Sequence, residues 1–159
     1  MTIAFFCLSG LDFLRVKVDY ENYINLIYSQ QTKDGGFRGG PLCTMEDSNS
    51  QYDQAHITMT YTALLSLLIL GDDLKRVLKT RTLESIKELQ QKDGSFIPQI
   101  NSSETDIRFL FCACAICFIF NDWSGIDVDL ALNFIKSCQN YDGAFGTGPK
   151  RESHGNFMS

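Results

Sequence analysis

The sequence has little positive charge, few histidines and no long apolar run. Fourteen Lys and Arg against nineteen Asp and Glu leave a net charge of −5, and the basic residues are scattered. Nucleic-acid binding needs a basic patch or stripe, so that class is excluded. The run Phe109 to Phe120 is apolar over twelve residues, well short of the ~20 a membrane-spanning helix needs. It predicts a helix buried on nearly all sides. The start, MTIAFFCLSGLDF, carries no basic n-region and no Ala-x-Ala cleavage site, which argues against a signal peptide. Low-complexity stretches are absent, strand-type alternation is almost absent, and no domain boundary shows. The only CxxC, Cys114 and Cys117, lies within FLFCACAICFIF, with no second CxxC and no nearby histidine. A zinc knuckle there lacks ligands, and small apolar core residues are the better reading.

What is present is apolar and repetitive. The 159 residues suffice for about one domain, and 44% hydrophobic residues with 12 phenylalanines allow a sizeable core. Most of the six cysteines (Cys7, Cys43, Cys112, Cys114, Cys117 and Cys138) sit inside apolar runs, the usage of a reduced intracellular protein with buried thiols. Three segments share the pattern Gln-x-x-Asp-Gly-x-Phe: QTKDGGF (31–37), QQKDGSF (90–96) and QNYDGAF (139–145). Each follows an apolar helical stretch, YINLIYSQ, LESIKELQ or LALNFIKSCQ, and the copies lie 59 and 49 residues apart. A period near 50 marks an array of one supersecondary unit. In each copy the glycine can adopt the left-handed conformation that ends a helix. The Asp can bond the backbone of its own turn, and the Phe points back into the core.

Between the copies, Ala55–Leu70 and Asp106–Phe120 read as nearly wholly apolar helices. The stretches before the motifs are more amphipathic: Leu83, Ile86 and Leu89 alternate with Glu84, Lys87 and Glu88. The polar stretches 44–54 and 101–105 read as surface loops. The pattern predicts an all-α fold of stacked helical hairpins, inner apolar helices alternating with outer ones, and the glycine loops at one end.

Taken together, TIAFFCLSGLDFL, GGFRGGP, YDQAHITMTYTALLSLLILGDDL, DGSF, ETDIRFLFCACAI, NDWSGIDVDLALNFIKSCQNYDGAF and ESHG resemble the protein prenyltransferase β family. The likeness is to β subunits of protein geranylgeranyltransferase type I more than to those of farnesyltransferase or Rab geranylgeranyltransferase. It spans nearly the whole chain, 1–159. The resemblance implies an α-α toroid, of which this chain would form about half the ring. It also implies a cytoplasmic enzyme with an α-subunit partner and a catalytic zinc. Such enzymes transfer geranylgeranyl from geranylgeranyl diphosphate to the cysteine of C-terminal CaaX proteins such as small GTPases.

Site roles follow from the resemblance residue by residue. His56, in QAHITMTY, matches a histidine on the peptide side. Glu104 and Arg108, in SETDIRF, match a pair that reaches the CaaX carboxylate through water. An Arg fork restrained by a carboxylate suits that task, and an ordinary helix-start ion pair with Glu104 or Asp106 is the competing reading. Thr2 and Tyr61 match lipid-wall positions. A small Thr2 leaves room for a fourth isoprene unit where farnesyltransferases carry a large aromatic. Phe5, Phe6 and Phe111 could add aromatic surface, with core packing as the alternative. His154, in ESHG, matches a diphosphate-side histidine able to donate a hydrogen bond to phosphate.

After Gly155 the chain departs from the family pattern. No residue here matches the family's Asp-x-Cys and later His zinc ligands, nor its basic diphosphate residues, so no metal ligand and no catalytic residue is assigned. The expectation is a chain inactive on its own and poorly soluble, since half a ring leaves apolar faces open. Two other readings compete. One is a catalytically dead half-toroid that binds an α subunit. The other is terpene cyclisation, for which Asp72-Asp73 and Asp127-x-Asp129 are the only acidic candidates. The first pair follows a helix-ending glycine, and the second opens a helix, where carboxylates favour the dipole. Trp123, the sole tryptophan, is read as packing at a hairpin turn.

Overall fold

The structure, a computed structural model, describes residues 1–16, 20–40 and 54–153. Cys43, His154 and all of the loop predicted at 44–54 except Gln54 lie outside the described residues. Six α-helices are described: α1 (Thr2–Phe13), α2 (Tyr20–Tyr28), α3 (Ile57–Ile69), α4 (Lys79–Leu89), α5 (Ile107–Phe120) and α6 (Val128–Ser137). No strand occurs among the described residues, only isolated bridges. The chain divides into two compact units, Met1–Ser85 and Ile86–Ser159, and the division falls inside α4.

In the first unit, α1 and α2 both contact α3. The core there includes Leu8, Ile27, Ile57, Leu64 and Leu67. Helix α3 is apolar yet carries Thr62 and Ser66, and both are satisfied inside the helix. Thr62 Oγ1 donates to Thr58 O (3.0 Å) and Ser66 Oγ to Thr62 O (2.7 Å), so these buried hydroxyls leave no unmet polar group. Gly71, at φ +79°, ends α3. Asp72 N then donates to Leu67 O at 2.9 Å, the helix-ending pattern that favours glycine.

In the second unit, α5 and α6 both begin on aspartates. Asp106 accepts from Arg108 N at 2.8 Å and Asp127 from Leu130 N at 3.1 Å, each satisfying an otherwise unpaired amide of a first turn. Helix α5 ends at Asn121, which takes the left-handed conformation. The core includes Phe96, Leu110, Ile116, Cys117, Phe134 and Cys138.

Helix α5 is less enclosed than its composition predicts. Arg108, Phe111 and Phe118 are exposed and Ala115 is half-buried. These residues recur at helical spacing, so one stripe of α5 faces outward. Phe118 is 76% exposed. Helix α1 likewise exposes Ile3, Phe6 and Phe13.

The three motif loops share one geometry. Each closes on an antiparallel bridge from the motif Gln to the motif Phe: Gln31 to Phe37, Gln90 to Phe96 and Gln139 to Phe145. Gly35, Gly94 and Gly143 sit at φ +88°, +87° and +81°, where glycine alone is unstrained. These glycines turn the loop and are not the helix ends, because α2, α4 and α6 stop earlier, at Tyr28, Leu89 and Ser137. Phe37 and Phe96 are fully buried, whereas Phe145 is half-buried.

The loop aspartates act as the pattern predicts in two copies. Asp93 accepts from Ser95 N (3.0 Å) and Asp142 from Ala144 N (3.0 Å). The first loop uses hydroxyls instead. Gly36 N donates to Thr82 Oγ1 at 3.0 Å, and Phe37 N donates to Thr60 Oγ1 at 2.9 Å.

Candidate functional site

The residues assigned by resemblance fall into two groups, one per unit. In the first unit, His56 caps α3. Its extended backbone (φ −121°, ψ 130°) lets Nδ1 accept from Thr58 N at 3.2 Å. An accepting Nδ1 makes Nε2 the protonated nitrogen of a neutral ring. The His56 backbone N–H donates to Phe37 O at 3.1 Å, so the first motif loop fixes where the imidazole sits.

Thr2 opens α1, and its hydroxyl lies 3.4 Å from Met59 Sδ on α3. Tyr61, half-buried, is two residues beyond Met59 and therefore about 200° around the helix. Thr2 and Tyr61 thus reach opposite sides of α3. Thr58, Tyr61 and Leu65 are half-buried and Leu68 is exposed, so the Tyr61 side of α3 is its open side. Phe6 is exposed and Phe5 half-buried. The two rings lie 5.5 Å apart, tilted at 49°.

In the second unit, Arg108 is held by a carboxylate, and that carboxylate is Asp106. Arg108 Nε donates to Asp106 Oδ1 (3.0 Å) and a terminal nitrogen donates to Oδ2 (2.8 Å). The Arg108 side chain is 63% exposed, while that of Asp106 is 5% exposed. A buried carboxylate thus pins a guanidinium that still faces outward. The Asp106 bond is the main reason Arg108 holds its proton more firmly than usual, and the Glu104 charge adds a smaller effect. Glu104 is exposed, and its backbone N–H bonds Ser102 Oγ at 3.2 Å. The family resemblance puts the restraint on Glu104, and the structure puts it on Asp106. The sequence signal for Asp106 is its position two residues before the Arg at a helix start.

The start of α5 is tied to the third motif loop, since Ile107 N donates to Thr147 O at 2.9 Å. Beyond that loop, Gly146 bridges to Ser153. Asn140 Nδ2 donates to Ser153 Oγ (2.9 Å), and Ser153 Oγ donates to Asp142 (3.0 Å). The chain is therefore anchored up to the residue before His154, which itself lies outside the described residues.

The acidic pairs serve turns. Asp72 accepts from Tyr28 Oη (2.6 Å) and Leu74 N (2.7 Å). Burial, then Asp72, pushes the Tyr28 phenol well above its ordinary range, and Arg76 stacks 4.0 Å from the centre of its ring. Asp73 pairs with exposed Lys75. Asp127 caps α6, and Asp129 lies in its first turn. Trp123 sits in the turn between α5 and α6, about half exposed.

Cys112, Cys117 and Cys138 are buried and Cys114 is half-buried, but Cys7 is exposed on the outward side of α1. Burial pushes the Cys117 thiol up to about 11 and shifts Cys114 and Cys138 the same way, so these are protonated thiols near neutral pH. Among the described residues, no three His, Cys, Asp or Glu side chains gather where they could hold a metal ion. The described residues by themselves do not fit zinc. No described helix is long and apolar enough to cross a membrane.

Comparison with known proteins adds the family. A profile described as the prenyltransferase alpha-alpha toroid domain matches residues 1–159. The chain is 39% identical over 171 residues to the geranylgeranyl transferase type-1 subunit beta of Arabidopsis thaliana, covering 98% of this chain and 46% of that protein. It is 37% identical over 182 residues to the subunit of the same name from Dictyostelium discoideum, covering 98% and 52%. A solved structure of Candida albicans protein geranylgeranyltransferase-I complexed with GGPP superposes with a TM-score of 0.85 at 24% identity, covering 98% of this chain and 49% of that one. At that identity the likeness is one of fold. The chain spans about half the length of the curated relatives it matches.

Proposed function

The chain belongs to the prenyltransferase α-α toroid family, and from that premise we propose that it supplies part of the β subunit of a protein geranylgeranyltransferase type I. The observation that carries this reading is its 39% and 37% identity, over 98% of the chain, to two type-1 β subunits. The reaction would join a geranylgeranyl group to the cysteine of a CaaX protein such as a small GTPase, with loss of diphosphate. An α subunit is the proposed partner, and zinc is the proposed cofactor of the enzyme as a whole. Five free cysteines among the described residues support a reducing compartment, the cytoplasm.

Most of the described site residues have a part their surroundings support. Arg108, pinned by Asp106 and outward-facing, offers planar donors to the peptide's terminal carboxylate, directly or through water. His56, with Nδ1 engaged by Thr58, presents Nε2–H as a donor on the peptide side. Tyr61, on the open side of α3, would supply aromatic surface to the isoprenoid, and the lipid-wall role of Thr2, which reaches the other side of α3, rests on the resemblance alone. The role of His154 as a donor to diphosphate rests on its ESHG context and on the anchoring of Ser153.

A binding assay on the chain co-expressed with a prenyltransferase α subunit tests this without requiring turnover. Fluorescent C20 and C15 isoprenoid diphosphates should bind with C20 preferred, and Thr2→Trp should reverse the order. A complex that binds neither lipid, or binds both equally before and after Thr2→Trp, overturns the proposal. In that case the alternative stands, a half-toroid that grips the α subunit only.

A further inference from the structure

Loop 1 (31–37) breaks a rule that loops 2 (90–96) and 3 (139–145) keep. In loops 2 and 3 the residue after the motif glycine is Ser95 or Ala144. Neither takes a positive φ, and each amide bonds the loop's own aspartate, Asp93 or Asp142. Loop 1 has a second glycine at that place, Gly36, at φ +78°. A Cβ on Gly36 would lie 2.8 Å from Thr60 Oγ1 and 2.9 Å from Ala55 Cβ, so no side chain fits. The loop therefore lies directly on the stretch that carries His56. A local departure of this kind within a repeated motif marks a place with a duty of its own.

The duty shows in the hydrogen bonds. Phe37 N donates to Thr60 Oγ1 (2.9 Å), His56 N donates to Phe37 O (3.1 Å), and Thr60 N donates to His56 O (2.9 Å). The three residues close a ring that engages both backbone groups of His56. Its Nδ1 is engaged as well, by Thr58 N at 3.2 Å. The hydroxyl of Thr60 is the only side-chain group in the ring. Phe37 is fully buried and Thr60 is 3% exposed, so bulk water does not replace that hydroxyl. Thr82 Oγ1 takes the neighbouring amide, Gly36 N, at 3.0 Å, but lies outside the ring.

We infer that Thr60 is a positioning residue for peptide binding. Through Phe37 it fixes the backbone of His56, and with it the tautomer and the direction in which the imidazole meets the substrate. The inference rests on the proposed peptide-side role of His56.

Thr60→Val and Thr82→Val test it as a pair. Each nearly keeps side-chain volume and strands one amide of loop 1, but only the first breaks the ring. The chain has two histidines, so 15N-histidine spectra of the full chain, with His154→Gln for assignment, report on His56 directly. The wild type and Thr82→Val should show a single Nε2–H tautomer at His56. Thr60→Val should show exchange between tautomers, and Thr60→Ser should restore the wild-type pattern. In the α-subunit complex, CaaX-peptide affinity should fall about tenfold in Thr60→Val and less than about twofold in Thr82→Val and Thr60→Ser. Should Thr60→Val lose its helical circular dichroism, Thr60→Cys decides instead, since it places a poorer acceptor where the hydroxyl was. An unchanged His56 pattern in Thr60→Val, or equal disturbance by the two valines, overturns the inference. Peptide affinity unmoved by His56→Ala overturns the peptide-side role itself, a different failure that the spectra separate from this one.

Discussion

Replacing Gly94 and Gly143 by alanine, one at a time, isolates what helix docking contributes to stability. The two glycines share a motif and nearly the same φ, +87° and +81°. Alanine in that conformation costs about 1–2 kcal/mol, and this cost is common to both. The surroundings differ. At Gly94 the new methyl falls 2.1 Å from Leu130 O, 2.6 Å from Leu130 C and 3.1 Å from Phe134 Cβ, whereas at Gly143 it meets nothing. Backbone cannot rotate out of the way, so the start of α6 must retreat. Overpacking of this kind costs about 1–3 kcal/mol. The retreat also stretches the two Gln90–Asp127 bonds, worth about 0.5–1.5 kcal/mol each. Gly94→Ala should therefore lose about 3 kcal/mol more than Gly143→Ala. Urea unfolding followed by Trp123 fluorescence reads this directly, since Trp123 is the sole tryptophan and lies in the turn leading to Asp127. With a slope near 2 kcal/mol per molar, the midpoint should fall about 1.5 M further for Gly94→Ala, measured in dilute protein. Equal losses at the two sites would refute the reasoning.

Two further outcomes follow from the geometry. The Cys117 thiol ionises only at about pH 11 in the folded chain, against an ordinary value of 9.0. Above pH 9 the unfolded chain therefore binds fewer protons than the folded one, so stability should fall between pH 9 and 11. The urea midpoint should decline less over that range in Cys117→Ala, and a flat midpoint in the wild type would contradict the burial argument. In the α-subunit complex, Asp106→Asn should keep the α5 cap yet release Arg108. CaaX-peptide affinity should then drop several-fold with little change in stability, as expected for an exposed arginine. Glu104→Gln should change affinity far less, and the reverse ranking would return the restraint to Glu104.

The helices and the loops were legible because their signals are local. The Gln-x-x-Asp-Gly-x-Phe copies specify the turn in all three loops, the capping acid in loops 2 and 3 and the buried Phe in loops 1 and 2, and Asp106 and Asp127 announce their helices one residue ahead. Three things were not legible, each because it depends on what lies across from a residue. Helix α5 reads as enclosed, since Phe111 and Phe118 are as apolar as Leu110 and Ile116, and only neighbours distinguish an outward stripe from a core one. Cys7 sits among phenylalanines in sequence yet on the outward side of α1. Arg108 had two carboxylates within reach by spacing, and burial of Asp106 decided which one holds it.

The unequal satisfaction of the three loops bears on the order in which they can form during synthesis. In loops 2 and 3 the turn amides are met by an aspartate two residues away, so each loop can close as soon as it leaves the ribosome. In loop 1 the amides of Gly36 and Phe37 wait for hydroxyls 46 and 23 residues further on, Thr82 and Thr60. Loop 1 therefore cannot close when it is made, and waits until residue 82 has emerged, shortly before loop 2 is synthesised. Until α3 and the start of α4 emerge, the amides of Gly36 and Phe37 stay solvated, so loop 1 folds as part of a longer-range unit while loops 2 and 3 can turn locally.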